Sequence, residues 1–188
     1  MKEKIRHVLS QREKQRIIDL NATPSAVLIP IFEKNGEDHI LFTKRTETVE
    51  HHKGQISFPG GKRDIEDENL LQTALRESLE EVGIRPEDVD VLGDLDDEKT
   101  YVSNYIISPY VGVIPYPYTF KTSPDEVGEL LEIPISVLTD KSNFREEIQT
   151  SGEKRYRAYY FNYGDEVIWG ATSRILKRFF NLICTGER

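Results

Sequence analysis

Glu77, Glu80 and Glu81 fall in the stretch RESLEEVG, residues 76–83. At about 100° per residue, spacings of three and four bring the three carboxylates onto one arc of a helix. Like charges placed so closely repel one another. A divalent cation would offset the repulsion, and carboxylate oxygens are hard ligands suited to Mg²⁺ or Mn²⁺. The ordinary alternative is a solvated acidic face, and the surrounding residues bear on the choice.

Leu71, Ala74, Leu75, Ser78, Leu79 and Val82 form a second stripe at core-facing spacing, expected roughly opposite the carboxylates. Asp67 or Asn69 can cap the helix start. Gly83 suits its end, with Pro86 beyond. A Phe58-Pro59-Gly60-Gly61 turn directly precedes it. A packed helix that carries a carboxylate cluster away from the core, just after a Gly-Gly turn, favours the metal reading.

The elements that must hold this helix follow from the pattern around it. Ser10 and Glu13 form a capping box that predicts a polar helix with Ile17, Ile18 and Leu20, ending before Pro24. Residues 26–32 (AVLIPIF) read as a buried strand in which Pro30 marks a bulge or an edge. Residues 33–38 read as a hairpin turn, 39–44 as the returning strand, 46–54 as a polar loop and 55–58 as a short strand. Strands are expected over 89–95, 106–114 and 127–133, an acidic turn over 94–99, and a Tyr- and Pro-rich loop over 115–124. A short helix is expected from Ser136, a hairpin from 144–149 and 156–161, and a helix over 169–183. Strands flanking two main helices in mixed order give an α+β class with a mixed sheet.

The chain has 188 residues, enough for one well-buried domain. It reads as a single domain over 1–188, with 1–24 as an N-terminal helical extension. A formal charge of −8 argues against nucleic acid as the main partner. Cys184, the single cysteine, excludes an intrachain disulfide and is expected to be semi-buried. No apolar run approaches a membrane span, and the N-terminus lacks the apolar core of a signal peptide, so the cytoplasm is the expected compartment. The Gly60-Gly61-Lys62-Arg63 turn is not a P-loop: Ile56 and Arg63 stand where that motif needs Gly and Ser or Thr.

From Gly61 to Ile84 the chain resembles the Nudix box, G-x5-E-x7-R-E-U-x-E-E-x-G-U, where U is aliphatic. Arg76, Glu77, Glu80, Glu81, Gly83 and Ile84 match. Two positions depart. One extra residue lies between Gly61 and Arg76, so either Asp67 or Glu68 takes the early acidic place, and Ser78 replaces an aliphatic residue. Residues 41–61 (LFTKRTETVEHHKGQISFPGG) resemble the signature of the coenzyme A diphosphatase branch through Leu41, Thr43, Arg45, Gly54, Phe58, Pro59, Gly60 and Gly61. Residues 123–127 and 168–172 are weaker echoes of the same branch.

The resemblance implies an α/β/α sandwich around a mixed sheet, and metal-dependent hydrolysis of the pyrophosphate bond of coenzyme A or a derivative. It implies Glu80, Glu81 and the Gly61 carbonyl as ligands of Mg²⁺ or Mn²⁺, Glu77 as ligand or general base, and Arg76 as the group that orients the carboxylates. Glu126 is the candidate distal acid, with Glu129 its nearby rival. Lys44, Arg45, His52, Gly60 and Gly61 are the candidate substrate contacts, with His51 and Lys53 in the same loop. For the basic residues, ordinary surface charge is an equal alternative. The tyrosines of 101–118 suit strand packing better than ligand stacking, and Trp169 suits a core or helix-start anchor. The implied partner is a small nucleotide rather than nucleic acid or membrane, with a homodimer left open. A Nudix hydrolase of another nucleotide, such as ADP-ribose, and a non-catalytic nucleotide-binding module are the rival readings.

Overall fold

The computed structural model describes residues 1–46, 54–100, 103–151 and 154–185. Helix α1 (Lys2–Ser10) is followed by strands β1 (Thr23–Lys34), β2 (Glu37–Arg45), β3 (Ile56–Ser57) and β4 (Gly60–Lys62). Helix α2 (Leu70–Val82) leads to β5 (Asp90–Asp94), β6 (Glu98–Lys99), β7 (Tyr105–Val113) and β8 (Val127–Pro134). Helix α3 (Ile135–Thr139), a three-stranded meander of β9 (Phe144–Ser151), β10 (Lys154–Tyr163) and β11 (Glu166–Ile168), and helix α4 (Gly170–Phe180) follow, and a π-helical turn over Asn181–Thr185 extends α4.

The main sheet runs β3-β2-β1-β7-β5, with β4 beside β1, β6 beside β7 and β8 beside β2. Among the described residues only β1 and β7 pair in parallel, so the sheet is mixed. Alternation along the strands divides their side chains between two cores. Ala26, Leu28, Phe32 and Leu41 pack with Ala74 and Val82 of α2. Ile29, Ile31, Ile40 and Phe42 pack with Ile5 and Leu9 of α1 and with Ile175, Leu176 and Phe179 of α4. Helices on both faces of the sheet make an α/β/α sandwich. None of the described helices is long and apolar enough to cross a membrane.

Several local expectations need correction. The N-terminal helix occupies Lys2–Ser10, ahead of the Ser10–Glu13 box, and 11–22 form no helix. The reason is electrostatic. The N–H groups of Gln15 and Ile17 donate to the carboxylates of Asp96 and Asp97, and Lys14 pairs with Asp97 at 2.9 Å. Ile18 and Leu20, expected on an apolar face, are almost fully exposed. Pro30 marks neither an edge nor a bulge: it lies in the interior strand β1, between the residues paired with β4 and those paired with β2. In that gap its missing N–H leaves no ladder bond unmade. Trp169 starts α4 but is half exposed, and Cys184 is exposed rather than semi-buried.

Candidate active site

Helix α2 starts at Asn69, whose side chain accepts from Gln72 N–H, and stops at Gly83, which has φ +74°. Gly83 N–H bonds to the Leu79 carbonyl and Ile84 N–H to the Ser78 carbonyl, a left-handed cap of the expected kind. The buried face of α2 coincides with the expected stripe at Ala74, Ser78 and Val82 and departs from it at Glu81 and Leu79. Thr73, Ala74, Ser78, Glu81 and Val82 are buried, while Leu79 is 43% exposed. The helix is therefore turned so that part of its acidic arc faces the sheet. Ser78, fully buried, satisfies its hydroxyl by donating to the Ala74 carbonyl at 2.7 Å.

The Gly-Gly turn makes room for those acids. Gly60 has φ +152°, and a Cβ there would lie 2.3 Å from the Ala26 carbonyl oxygen. A Cβ on Gly61 would lie 2.4 Å from Oε2 of Glu77, so glycine allows that carboxylate to rest against the β4 backbone. Gly60 N–H donates to Oε2 of Glu81 at 3.2 Å. Burial falls across the trio: Glu81 is 6% exposed, and the side chains of Glu77 and Glu80 are 18% and 57% exposed. Burial pushes the Glu81 carboxyl up to about 8, against the Gly60 hydrogen bond, with further upward pushes from Glu77 and Glu126. Burial also raises Glu77, opposed by its hydrogen bond from Arg76.

Arg76 spends its guanidinium on ordering this site. Its NH1 donates to Glu77 Oε1 at 2.8 Å and to Glu80 Oε2 at 3.1 Å. Its Nε and NH2 form a two-pronged pair with Asp67, both at 3.0 Å, and NH2 also reaches the Lys62 carbonyl. The structure distinguishes the two early acids. Asp67 is buried and also accepts from Thr73 Oγ1 and Asp64 N–H, and the Arg76 hydrogen bonds hold its carboxyl well below the usual range. Glu68 is exposed, and its backbone carbonyl accepts from Arg63. The extra residue of the box is thus taken up in the loop before α2. Thr73, fully buried beneath Asp67, is a support that sequence reasoning missed; a lone Thr inside an amphipathic helix was its only signal.

The loop that carries Glu126 is fixed to the end of α2. Lys121 N–H donates to the Val82 carbonyl and Ser123 N–H to the Glu81 carbonyl. Glu126 is exposed, yet its charge acts on both Glu77 and Glu81. Glu129 lies on β8 opposite Lys44 instead. Lys44 and Arg45 alternate on β2 and separate accordingly. Lys44 pairs with Glu166 of β11 and lies 4.0 Å from Glu129. Arg45 acts on Glu81, and its Nε is buried with no hydrogen-bond partner. His51, His52 and Lys53 lie outside the described residues.

Among the described residues, no three His, Cys, Asp or Glu side chains converge into a finished metal cage. The donor chemistry nevertheless fits a hard divalent cation. A cation beside Glu81 would reverse the upward push on its carboxyl and so displace the proton near neutral pH. A cleft of about 1140 Å³ lies away from these acids, between 11–17, β6, β10 and α4. Arg12 pairs there with Asp96, and Arg174 and Arg178 pair with buried Glu98, which makes it an ion-pair seam that ties 11–17 and α4 to residues 96–98.

Comparison with known proteins bears on the family. The NUDIX domain matches residues 22–149. The chain is 35% identical to a protein described as an uncharacterized Nudix hydrolase, NudL, from Photorhabdus laumondii, over 83% of this chain and 82% of that protein. Identity to the NudL protein of Yersinia enterocolitica is 38%, over 84% and 80%. Among solved structures, a MutT/nudix family protein from Enterococcus faecalis superposes with a TM-score of 0.58 at 12% identity, covering 93% of this chain and 66% of that one. A C. elegans Ap4A hydrolase superposes with a TM-score of 0.51 at 17% identity, covering 61% and 81%. The fold, the helix of glutamates and these relatives agree: the chain belongs to the Nudix hydrolase family.

Proposed function

We propose that the protein is a metal-dependent diphosphatase that hydrolyses coenzyme A or its derivatives to 3′,5′-ADP and 4′-phosphopantetheine, or the acyl form of the latter. The observation that carries the hydrolase reading is the gathering of Glu77 and Glu81 against the Gly60-Gly61 backbone, with the charge of Arg45 acting on Glu81. The substrate reading rests on residues 41–61, which are similar to the signature of the coenzyme A branch.

Glu80, Glu81 and the Gly61 carbonyl would hold Mg²⁺ or Mn²⁺. Bound there, the cation would neutralise charge on the diphosphate and lower the pKa of the attacking water. The residues do the rest. Arg76, anchored by Asp67, orients Glu77 and Glu80. Glu77, raised by burial, takes the proton of the water. Glu126 supplies the distal carboxylate. Arg45, whose charge acts on Glu81, offers its guanidinium to a diphosphate oxygen, a charge-assisted contact. Gly60 borders the same substrate, which is a small nucleotide in the cytoplasm. Lys44, tied to Glu166, serves the β2–β11 contact rather than the diphosphate.

A substrate panel tests this reading. Coenzyme A, ADP-ribose and a dinucleoside polyphosphate are compared, with metal omitted and then restored. The expected result is the highest kcat/KM on coenzyme A and no turnover without metal. Preference for either other nucleotide overturns the substrate, and binding without turnover of any of them overturns the enzyme.

A further inference from the structure

The small sheet has the order β11-β10-β9, and among the described residues no strand pairs with the outer side of β9. Strand β9 is eight residues long, and its register with β10 runs from Phe144↔Phe161 to Ser151↔Lys154 without a bulge. The last pair, Ser151 and Lys154, stands three positions apart in the chain, and an antiparallel pair that close is a hydrogen-bonded one. Ser151, Gln149, Glu147 and Arg145 therefore bond to β10. The N–H and C=O groups of Thr150, Ile148 and Glu146 point outward. Edges of this kind are normally blunted by charge, proline or a bulge. The first half of β9 carries Arg145, Glu146 and Glu147, but 148–151 carry no charge and no proline. Ile148 lies in the middle of the strand and is 63% exposed.

We propose that β9 pairs antiparallel with β9 of a second copy, on a two-fold axis through Ile148, to make a continuous six-stranded sheet across the dimer. The register follows from charge. An axis at Glu146 or Glu147 puts that glutamate opposite itself, which is destabilising. An axis at Gln149 or Thr150 shortens the paired segment. With the axis at Ile148, the two isoleucines meet, Glu147 faces Gln149, Glu146 faces Thr150 and Arg145 faces Ser151. No like charges stand opposite one another, and residues 145–151 all pair. Ile148 also has its N–H and C=O directed outward, as the central hydrogen-bonded pair of such a ladder requires. Glu146 is already neutralised within its own copy by Arg157 at 2.9 Å. The partner is thus a second copy of this chain, met through an isologous contact. Strand pairing alone covers little area, so the dimer depends on protein concentration.

Sedimentation velocity over a concentration series tests the proposal. The wild type is expected to shift from 21.7 kDa towards twice that mass as concentration rises. Ile148→Lys places two ammonium groups on the axis, and Ile148→Pro removes only an outward N–H. Both are expected to hold the chain as a monomer, with an unchanged circular dichroism spectrum and unchanged hydrolase activity. Ile148→Val is expected to dimerise like the wild type. A monomer throughout the series, or a dimer unmoved by both Ile148→Lys and Ile148→Pro, overturns the proposal. If either variant loses its fold, the other decides.

Discussion

At the residue scale, Glu81 concentrates the physics of the site. Its carboxyl is buried and pushed up to about 8. Unfolded, it would titrate near 4.5. Between those values the folded chain binds a proton that the unfolded chain does not, so stability falls as pH rises through that window. Thermal melts in a chelator should therefore show a lower Tm at pH 8.5 than at pH 5. Glu81→Gln should lose less over the same interval, and added Mg²⁺ should raise Tm for the wild type only. Asp67 and Glu68 give a second contrast. Asp67→Asn removes the anchor of Arg76 and should lower kcat about tenfold, the scale of lost second-layer support. Glu68→Gln should leave steady-state kinetics unchanged. The glutamates and Arg76 were legible as residue types at fixed spacings. The choice between Asp67 and Glu68 was not, because the extra residue satisfies either spacing and only burial separates them. Lys44 and Arg45 were equally basic on paper; strand alternation sends one to Glu166 and the other towards Glu81.

At the scale of elements, helix α2 stops at Gly83 as expected and starts at Asn69, one of the two expected caps, because both residues act locally. Its core face was read in part: Ala74, Ser78 and Val82 are buried as expected, whereas Leu79 is exposed and Glu81 is buried. Leu71, Leu75 and Leu79 suggested the core face, but the Gly60-Gly61 backbone comes so close that Glu77 and Glu81 fit against it. That close approach makes a direct prediction. Gly61→Ala should displace the Glu77 carboxylate and cost about 100-fold in kcat, as expected for a small misplacement of a catalytic group. Its Tm should change little, because the Cβ meets the tip of a side chain rather than backbone. The helix expected from the Ser10–Glu13 box failed for a tertiary reason: Asp96 and Asp97 draw the backbone of 15–17 into extended contact.

At the scale of the whole molecule, the sandwich keeps two tasks on separate faces. The α2 face carries the acids, Arg45 and the Glu126 loop. The other face closes the structure, through Ile5 and Leu9 of α1, Phe179 of α4 and the ion pairs of Glu98 with Arg174 and Arg178. The alternating strands and the hairpins were legible because their period is local. The seam was not, since its partners lie some eighty residues apart in the chain. The central claim is the bond that is broken. Purified protein incubated with coenzyme A and Mg²⁺ or Mn²⁺, with products resolved by mass spectrometry, should give equal amounts of 3′,5′-ADP and 4′-phosphopantetheine. Intact coenzyme A after incubation, alongside rapid hydrolysis of another nucleotide by the same preparation, would contradict it.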